Sequence, residues 1–174
     1  KYMIIGGVAG GASTAARLRR LDEQAEIILF EKGEYISYAN CGLPYYIGGV
    51  IEERERLFVQ TPESFKARFN IEVRIKSEVK AIEPENKQVV IKDWATGKTY
   101  RESFDKLVLS PGAEPVLPPW EGIRTEGIFT LRNVADTDRI KAWAGRQEVK
   151  KAVVVGAGFI GLEMAENLHE LGIQ

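Results

Sequence analysis

The sequence predicts an open, doubly wound α/β fold in three layers, with a small antiparallel β-meander set into it. Three observations predict this. Two glycine-rich turns, Ile5-Gly6-Gly7-Val8-Ala9-Gly10-Gly11 and Val155-Gly156-Ala157-Gly158-Phe159-Ile160-Gly161, each follow a β-rich apolar run and open an amphipathic helix. The first turn lies inside a strand–helix–strand unit of about 30 residues, the size of a mononucleotide-binding half. From Ile71 to Ser103 the chain alternates or runs β-branched, with turn signals at Glu83-Pro84-Glu85-Asn86 and Ala95-Thr96-Gly97-Lys98, which is the pattern of a meander. A strand-to-helix turn of this kind aims backbone N–H groups and a helix N-terminus at a pyrophosphate. The fold is therefore Rossmann-like, and the two turns predict two dinucleotide sites.

The elements follow in order. Tyr2 to Ile5 is the first strand, about Gly11 to Leu21 the helix, and Glu26-Ile27-Ile28-Leu29-Phe30 the second strand. Thr61-Pro62-Glu63 reads as an N-cap, a first-turn proline and an acidic first turn. It starts a short helix to about Asn70 in which Phe65 and Phe69 share a face. Lys106-Leu107-Val108-Leu109 is a buried strand ending in Ser110-Pro111-Gly112, and Pro115 to Pro119 with Trp120-Glu121-Gly122 is the linker candidate. Ile128-Phe129-Thr130-Leu131 reads as a strand, and Asp136 or Thr137 as the cap of a helix to about Ala144. Ala152-Val153-Val154-Val155 is the strand before the second turn, and the helix after it buries Met164, Ala165, Leu168 and Leu171. The expected organisation is a first dinucleotide-binding domain over 1–115, a linker with a strand and a helix over 116–146, and the start of a second dinucleotide-binding domain over 147–174. An open doubly wound sheet needs further strands, so both domains are expected to be incomplete and the chain to be the N-terminal part of a larger protein.

Charge and cysteine usage narrow the function classes. With 24 Lys and Arg against 25 Asp and Glu, the net charge of −1 provides no global field for nucleic acid or an anionic membrane. Any anion site must be local. A single cysteine makes no internal disulfide, and no stretch resembles a signal peptide or an apolar span of ~18 residues. The expected setting is cytoplasmic, with neither nucleic acid nor membrane as partner. His169, Trp94, Trp120 and Trp143 are scattered and read as structural, and no metal site is expected.

The second turn carries Gly156, Gly158 and Gly161 at G-x-G-x-x-G spacing. In the first turn Val8 stands where the middle glycine belongs, and Gly7 and Gly10 relieve the crowding. Glu31 ends the second strand near the ~20-residue offset at which an acid binds a ribose diol. Two such turns suggest electron transfer between two bound dinucleotides. Cys41 lies in the polar, turn-prone run Ser37-Tyr38-Ala39-Asn40-Cys41-Gly42-Leu43-Pro44-Tyr45-Tyr46. On these residues alone a packed structural cysteine and a reactive thiol both remain open. Ser13, Arg17 and Arg20 fall at i, i+4 and i+7 on one helix face. That face suits a phosphate-bearing ligand, or its arginines are cations near a helix C-terminus, solvated or paired with Asp22 and Glu23.

Five segments together resemble a known group: the first turn, the Ser37 to Tyr45 stretch with its single cysteine, Leu109-Ser110-Pro111-Gly112-Ala113, Leu131-Arg132-Asn133 and the second turn. They resemble the coenzyme A-disulfide reductases, close to single-cysteine NADH oxidases and NAD(P)H persulfide or polysulfide reductases, all FAD-dependent pyridine nucleotide-disulfide oxidoreductases. The resemblance spans essentially the whole chain. It implies that NAD(P)H docks at the second turn, that FAD is held at the first, and that electrons pass to a disulfide between Cys41 and a small thiol. It implies FAD contacts at Gly6, Val8, Ala9, Gly10 and Gly11, Glu31 with Lys32 at the adenosine ribose, Val79 through its backbone, Ser110, Gly112 and Arg132, with Asn40 and Cys41 beside the cofactor. Val79 and Ser110 also read as an ordinary strand residue and a turn cap. At the second turn the implied contacts are Gly156, Gly158, Phe159, Ile160, Gly161 and Glu163. For coenzyme A they are Ser13, Arg17, Arg20, Ser37 and Asn40; the group also uses a basic residue near Arg68, where the alignment places Phe69. The implied substrate is coenzyme A disulfide or a small-thiol persulfide, and the full-length protein is expected to be a homodimer. Two alternatives stand beside this: an NADH oxidase cycling Cys41 through a sulfenic acid, and a dinucleotide-binding redox sensor or electron-transfer partner without disulfide turnover.

Overall fold

The apolar runs read as strands pair in parallel, and their alternation decides which layer each side chain enters. The computed structural model describes residues 1–174. In chain order its elements are β1 (Tyr2–Ile5), α1 (Ala9–Leu21), β2 (Ile27–Phe30), α2 (Leu43–Ile47), α3 (Pro62–Phe69), β3 (Glu72–Arg74), β4 (Ser77–Glu83), β5 (Gln88–Asp93), β6 (Thr99–Ser103), β7 (Lys106–Leu109), α4 (Val134–Ala144) and α5 (Phe159–Glu170). They form two units, Lys1–Tyr38 with Phe58–Gly112, and Ala39–Leu57 with Ala113–Gln174. No helix is long and apolar enough to cross a membrane.

In the first unit a parallel sheet runs β3-β2-β1-β7, with Tyr2 opposite Ile27 and Lys106, and Ile28 opposite Glu72. Successive side chains point to opposite faces, so each strand feeds two cores. Ile4, Ile27 and Leu29 pack with Ala12 and Ala15 of α1 and Phe65 of α3, while Met3, Ile28 and Phe30 pack with Val89 and Ile91 of β5. All four residues of β2 are buried, which explains its unbroken Ile-Ile-Leu-Phe run. The third layer is the antiparallel sheet β4-β5-β6. On this face the meander, rather than a second set of helices, covers the parallel sheet.

The expected meander begins later than its sequence pattern. Glu72–Arg74 pairs in parallel with β2, so the antiparallel part starts at Ser77. The β7 strand forms, but only Leu107 and Val108 are half-buried, while Leu109 is 58% exposed. It pairs with β1 alone. The α3 prediction holds at both ends: Thr61 and Ser64 make a reciprocal capping box, and Asn70 closes the helix in the left-handed conformation. Phe65 and Phe69 meet edge to face at 5.1 Å.

The second unit is helical. Ile47, Ile140 and Met164 form its core, with Leu131 and Leu168 packed on them. Ile128 to Leu131 is not a strand. Its apolar character serves side-chain packing instead, with Phe129 against Trp143 at 5.6 Å and Leu131 on that core. The cap of α4 is Asn133, not Asp136 or Thr137: the Asn133 side chain accepts from the Asp136 N–H, and the Asp136 carboxylate accepts from the Asn133 N–H. Ala152 to Val155 is likewise not a strand, and Val153 and Val155 are exposed. Its start nevertheless shows one rung of parallel pairing, since Gln174 N–H donates to Lys150 O at 2.9 Å and Ala152 N–H to Gln174 O at 2.8 Å. On α5, Met164 is buried and Leu168 half-buried as expected, but Ala165 and Leu171 are exposed and Asn167 is buried in their stead. The Asn167 amide donates to Glu163 O, which satisfies a polar group inside the interface.

Candidate functional site

The first turn is built by close backbone approach. Gly6 adopts φ +96°, a conformation that L side chains rarely adopt. A Cβ on Gly11 would strike the Gly6 carbonyl, and one on Gly6 would strike the Ser110 carbonyl. Ser110 N–H donates to Ile5 O at 2.8 Å, which brings the end of β7 against the turn. The α1 helix has neither a side-chain cap nor an acid in its first turn. Its N–H groups and dipole are thus left to an anion from outside the helix.

Glu31 closes this site. Its two carboxylate oxygens accept from Gly7 N–H at 2.8 Å and Gly33 N–H at 2.7 Å. Each oxygen keeps a further lone pair, the acceptor arrangement a ribose diol needs. Lys32 is exposed beside it. Val79 sits where the β4–β5 register shifts before Ala81, a bulge that disturbs the backbone ladder next to its own peptide. Gly112 takes φ +73° at the end of the Ser110-Pro111-Gly112 turn.

A cleft of about 380 Å³ opens on the same unit, lined by Val8, Ala9 and Ser13 on one side and Ser37, Arg68 and Phe69 on others. Ser37 is held at φ +45°, a strained conformation for a residue with a Cβ. Three backbone bonds impose it: Ser37 N–H donates to Gly7 O at 2.8 Å, and its carbonyl accepts from Val59 and Gln60 at 2.8 and 3.4 Å. Val59 and Gln60 also line the cleft and carried no sequence signal, and Tyr38 and Phe65 line it too. Arg68 is the basic residue of the cleft, its guanidinium 5.2 Å from the Phe69 ring centre, so the two neighbouring candidates both reach it. The three arginines of α1 divide. Arg19 donates to the carbonyls of Phe69, Asn70, Asp22 and Glu23, tying the helix end to α3, whereas Arg17 and Arg20 are exposed and have no ion pair.

The remaining candidates belong to the second unit. Asn40, Cys41 and Gly42 form a 3-10 turn that runs directly into α2. Asn40 is exposed, and Cys41 is a free, exposed thiol rather than a packed one. Arg132 donates from its side chain to Ala113 O and from its N–H to Asp136. The second turn repeats the first: Gly156 has φ +112°, a Cβ on Gly161 would strike the Gly156 carbonyl, and α5 has neither side-chain cap nor first-turn acid. Nothing lies within 4 Å of a Cβ placed on Gly158. Phe159 and Ile160 are exposed at the helix start, and Glu163 is half-buried a turn later.

The pyridine nucleotide-disulphide oxidoreductase family matches residues 1–174. The chain belongs to this family. Among its relatives, a coenzyme A disulfide reductase from Staphylococcus aureus (strain JH9) is 44% identical over 173 residues, 99% of this chain and 39% of that protein. The structure of reduced CoADR-RHD from Bacillus anthracis is 57% identical with a TM-score of 0.97, covering 99% of this chain and 31% of that one. A NAD-dependent persulfide reductase from A. fulgidus is 39% identical with a TM-score of 0.94, covering 99% and 32%. The resemblance drawn from the five sequence segments is thereby confirmed. The chain spans about two fifths of the length of the curated relatives it matches, 39% in each case.

Proposed function

We propose that this chain is the FAD-binding part and the start of the NAD(P)H-binding part of an oxidoreductase that reduces coenzyme A disulfide, or a small-thiol persulfide or polysulfide, through Cys41. The observation that carries the reading is the free, exposed thiol of Cys41 in a chain matching a disulphide oxidoreductase family along its whole length. FAD is assigned to the first turn, where the N–H groups of α1 would hold a pyrophosphate and Glu31 a ribose, with Lys32, Val79, Ser110, Gly112 and Arg132 as the further residues that would hold it. NAD(P)H is assigned to the second turn, where Gly158 leaves room for a phosphate. The bound flavin supplies an electron pair drawn from NAD(P)H.

The thiolate of Cys41 attacks one sulfur of the substrate disulfide, forming a mixed disulfide and releasing the other half as a thiolate. Two electrons and one proton then cleave the mixed disulfide into the Cys41 thiolate and a second free thiol. In this reading the second sulfur is the substrate's; in the oxidase alternative an oxygen on Cys41 takes its place. The cleft with Ser13, Ser37 and Arg68, together with Arg17, Arg20 and Asn40, is assigned to a phosphate-bearing thiol such as coenzyme A. A reducing cytoplasm suits a free redox thiol, and the full-length protein is proposed to be a homodimer, which sedimentation of the purified enzyme checks.

The test is Cys41→Ser in the full-length protein, followed by stopped-flow NAD(P)H reduction and an assay of released thiol. Flavin stays bound and reducible while disulfide reduction is lost. Retained disulfide turnover would sink the thiol mechanism. Oxygen consumption matching NAD(P)H in the unaltered protein, with no thiol released from coenzyme A disulfide, would make it an oxidase; no turnover with either acceptor would make it a sensor or electron-transfer partner.

A further inference from the structure

The segment that carries Cys41 is mounted on α4 at two points. Arg54 donates to Asp138 in a fork, with Nε at 3.0 and 3.2 Å from the two carboxylate oxygens and Nη2 at 2.7 Å. One turn further along α4, Lys141 Nζ donates to the carbonyl oxygens of Tyr46 and, at 3.4 Å, Ile47, with the Tyr46 ring centre 4.4 Å away. These carbonyls end the helical stretch that begins at Asn40 and holds Cys41 in its first turn. Carbonyls at a helix end lack intrahelical partners and carry the negative end of its dipole, so an ammonium there is favourable.

The charge of Lys141 is the uncompensated one. Asp138 is paired with Arg54, and Asp136 with Arg139. Burial holds the Lys141 ammonium below its ordinary value. From α5, which also packs on α2, Glu163 is half-buried and Glu166 exposed; Glu52 and Glu53 after α2 are exposed, where water and salt screen them.

We infer that Lys141 is a positioning residue for Cys41: it fixes the far end of the Asn40–Ile47 stretch, and its charge favours the thiolate at the near end. The inference rests on the reading of Cys41 as the redox thiol. Ile47 is six positions after Cys41, about 9 Å of helical rise, and the ammonium sits beyond the carbonyl oxygens of that end, roughly 12 Å from the thiol. At that distance a unit charge changes a thiolate population roughly twofold under bulk-water screening and roughly tenfold under the screening typical near a protein surface.

The experiment uses the full-length holoenzyme with Lys141→Met and Lys141→Arg. Alkylation of reduced Cys41 by iodoacetamide at neutral pH is followed by mass spectrometry of the Cys41 peptide. The pH profile of the same rate separates thiolate from access, since a change of access alone scales the rate equally at every pH. Lys141→Met slows alkylation by roughly two- to tenfold and lowers kcat for the disulfide with KM unchanged, and Lys141→Arg restores both. Alkylation of the flavin-bound Met variant at the unaltered rate, or failure of arginine to rescue, overturns the inference. Should Lys141→Met purify without flavin, Lys141→Gln, which keeps a donor but not the charge, takes its place under the same criteria. Alkylation reports on the thiol whether or not a disulfide is the substrate, so it is separate from the Cys41→Ser test of the function itself.

Discussion

Arg17, Arg19 and Arg20 show how far residue type alone goes. All three are cations in the last turns of α1, but only Arg19 is used by the fold, as a donor to four carbonyls at the α1 and α3 ends. Arg17 and Arg20, four and seven residues after Ser13 on the same face, are exposed without an ion pair and are the ones proposed for the ligand. Arg17→Ala and Arg20→Ala should therefore each raise KM for coenzyme A disulfide far more than for a small uncharged disulfide. A charge-assisted hydrogen bond to phosphate is worth about 1.5–3 kcal/mol, roughly ten- to hundredfold in KM. Equal effects on both substrates in steady-state assays would assign the two arginines to the helix and not to the ligand. Ser37 teaches the converse. Its polar neighbourhood suggested a site, but its left-handed backbone is visible only where Gly7, Val59 and Gln60 converge on it.

The four longer helices fall into two kinds at their N-termini. Those of α3 and α4 are closed by capping boxes, Thr61 with Ser64 and Asn133 with Asp136. Those of α1 and α5 follow glycine turns and have no side-chain cap. A capping side chain occupies the N-terminus at which a phosphate would dock, and an uncapped one leaves it open. Gly11 and Gly158 differ in what a substitution would meet. A side chain at Gly11 collides with the Gly6 carbonyl, so Gly11→Val should displace the turn and give colourless protein. Gly158 faces open space, so Gly158→Val should leave the fold and the yellow colour intact while abolishing flavin reduction by NAD(P)H. Absorbance of the purified variants with NAD(P)H and then dithionite decides it. A colourless Gly158→Val and a yellow Gly11→Val would reverse the assignment of the two sites.

At the scale of the molecule, the parallel sheet and the meander are tied by charge as well as by the Phe30, Val89 and Ile91 core. Arg74 of β3 donates to Glu102 and to Tyr100 of β6, and Lys1 also donates to Glu102. Burial pushes the Glu102 carboxyl up, but the hydrogen bonds and charges of Lys1 and Arg74 outweigh it and hold the group below its ordinary value of 4.5. A depressed folded-state value means that the stabilisation is complete above the ordinary value and is lost as pH falls through the lower one. The thermal unfolding midpoint of the holoenzyme should thus fall more steeply below about pH 4.5 than that of Glu102→Gln. Parallel acid profiles for the two proteins would show that the pair does not couple the layers.

The sequence by itself determined the elements whose signals are local. The first strand–helix–strand unit, the α3 caps, the two glycine turns and the acid at Glu31 depend on backbone conformation and on periodicity within a few residues, and each is where its residues placed it. Pairing and burial were decided by tertiary structure. Glu72–Arg74 alternates like the meander but joins β2, and Ile128–Leu131 has strand composition but packs through side chains. Asn167 rather than Ala165 faces the interior of α5, because Gly48 has no Cβ and its neighbourhood admits the Asn167 side chain. An apolar pattern records that a segment is buried, while its partner is chosen by residues far away in the chain, and no local window contains them. The same division holds at the candidate site. The type and spacing of Cys41 and its polar neighbours were legible in the chain, but the exposure of the thiol appears only in the fold, and the mount of Lys141 on Tyr46 and Ile47 joins residues 95 and 94 positions apart.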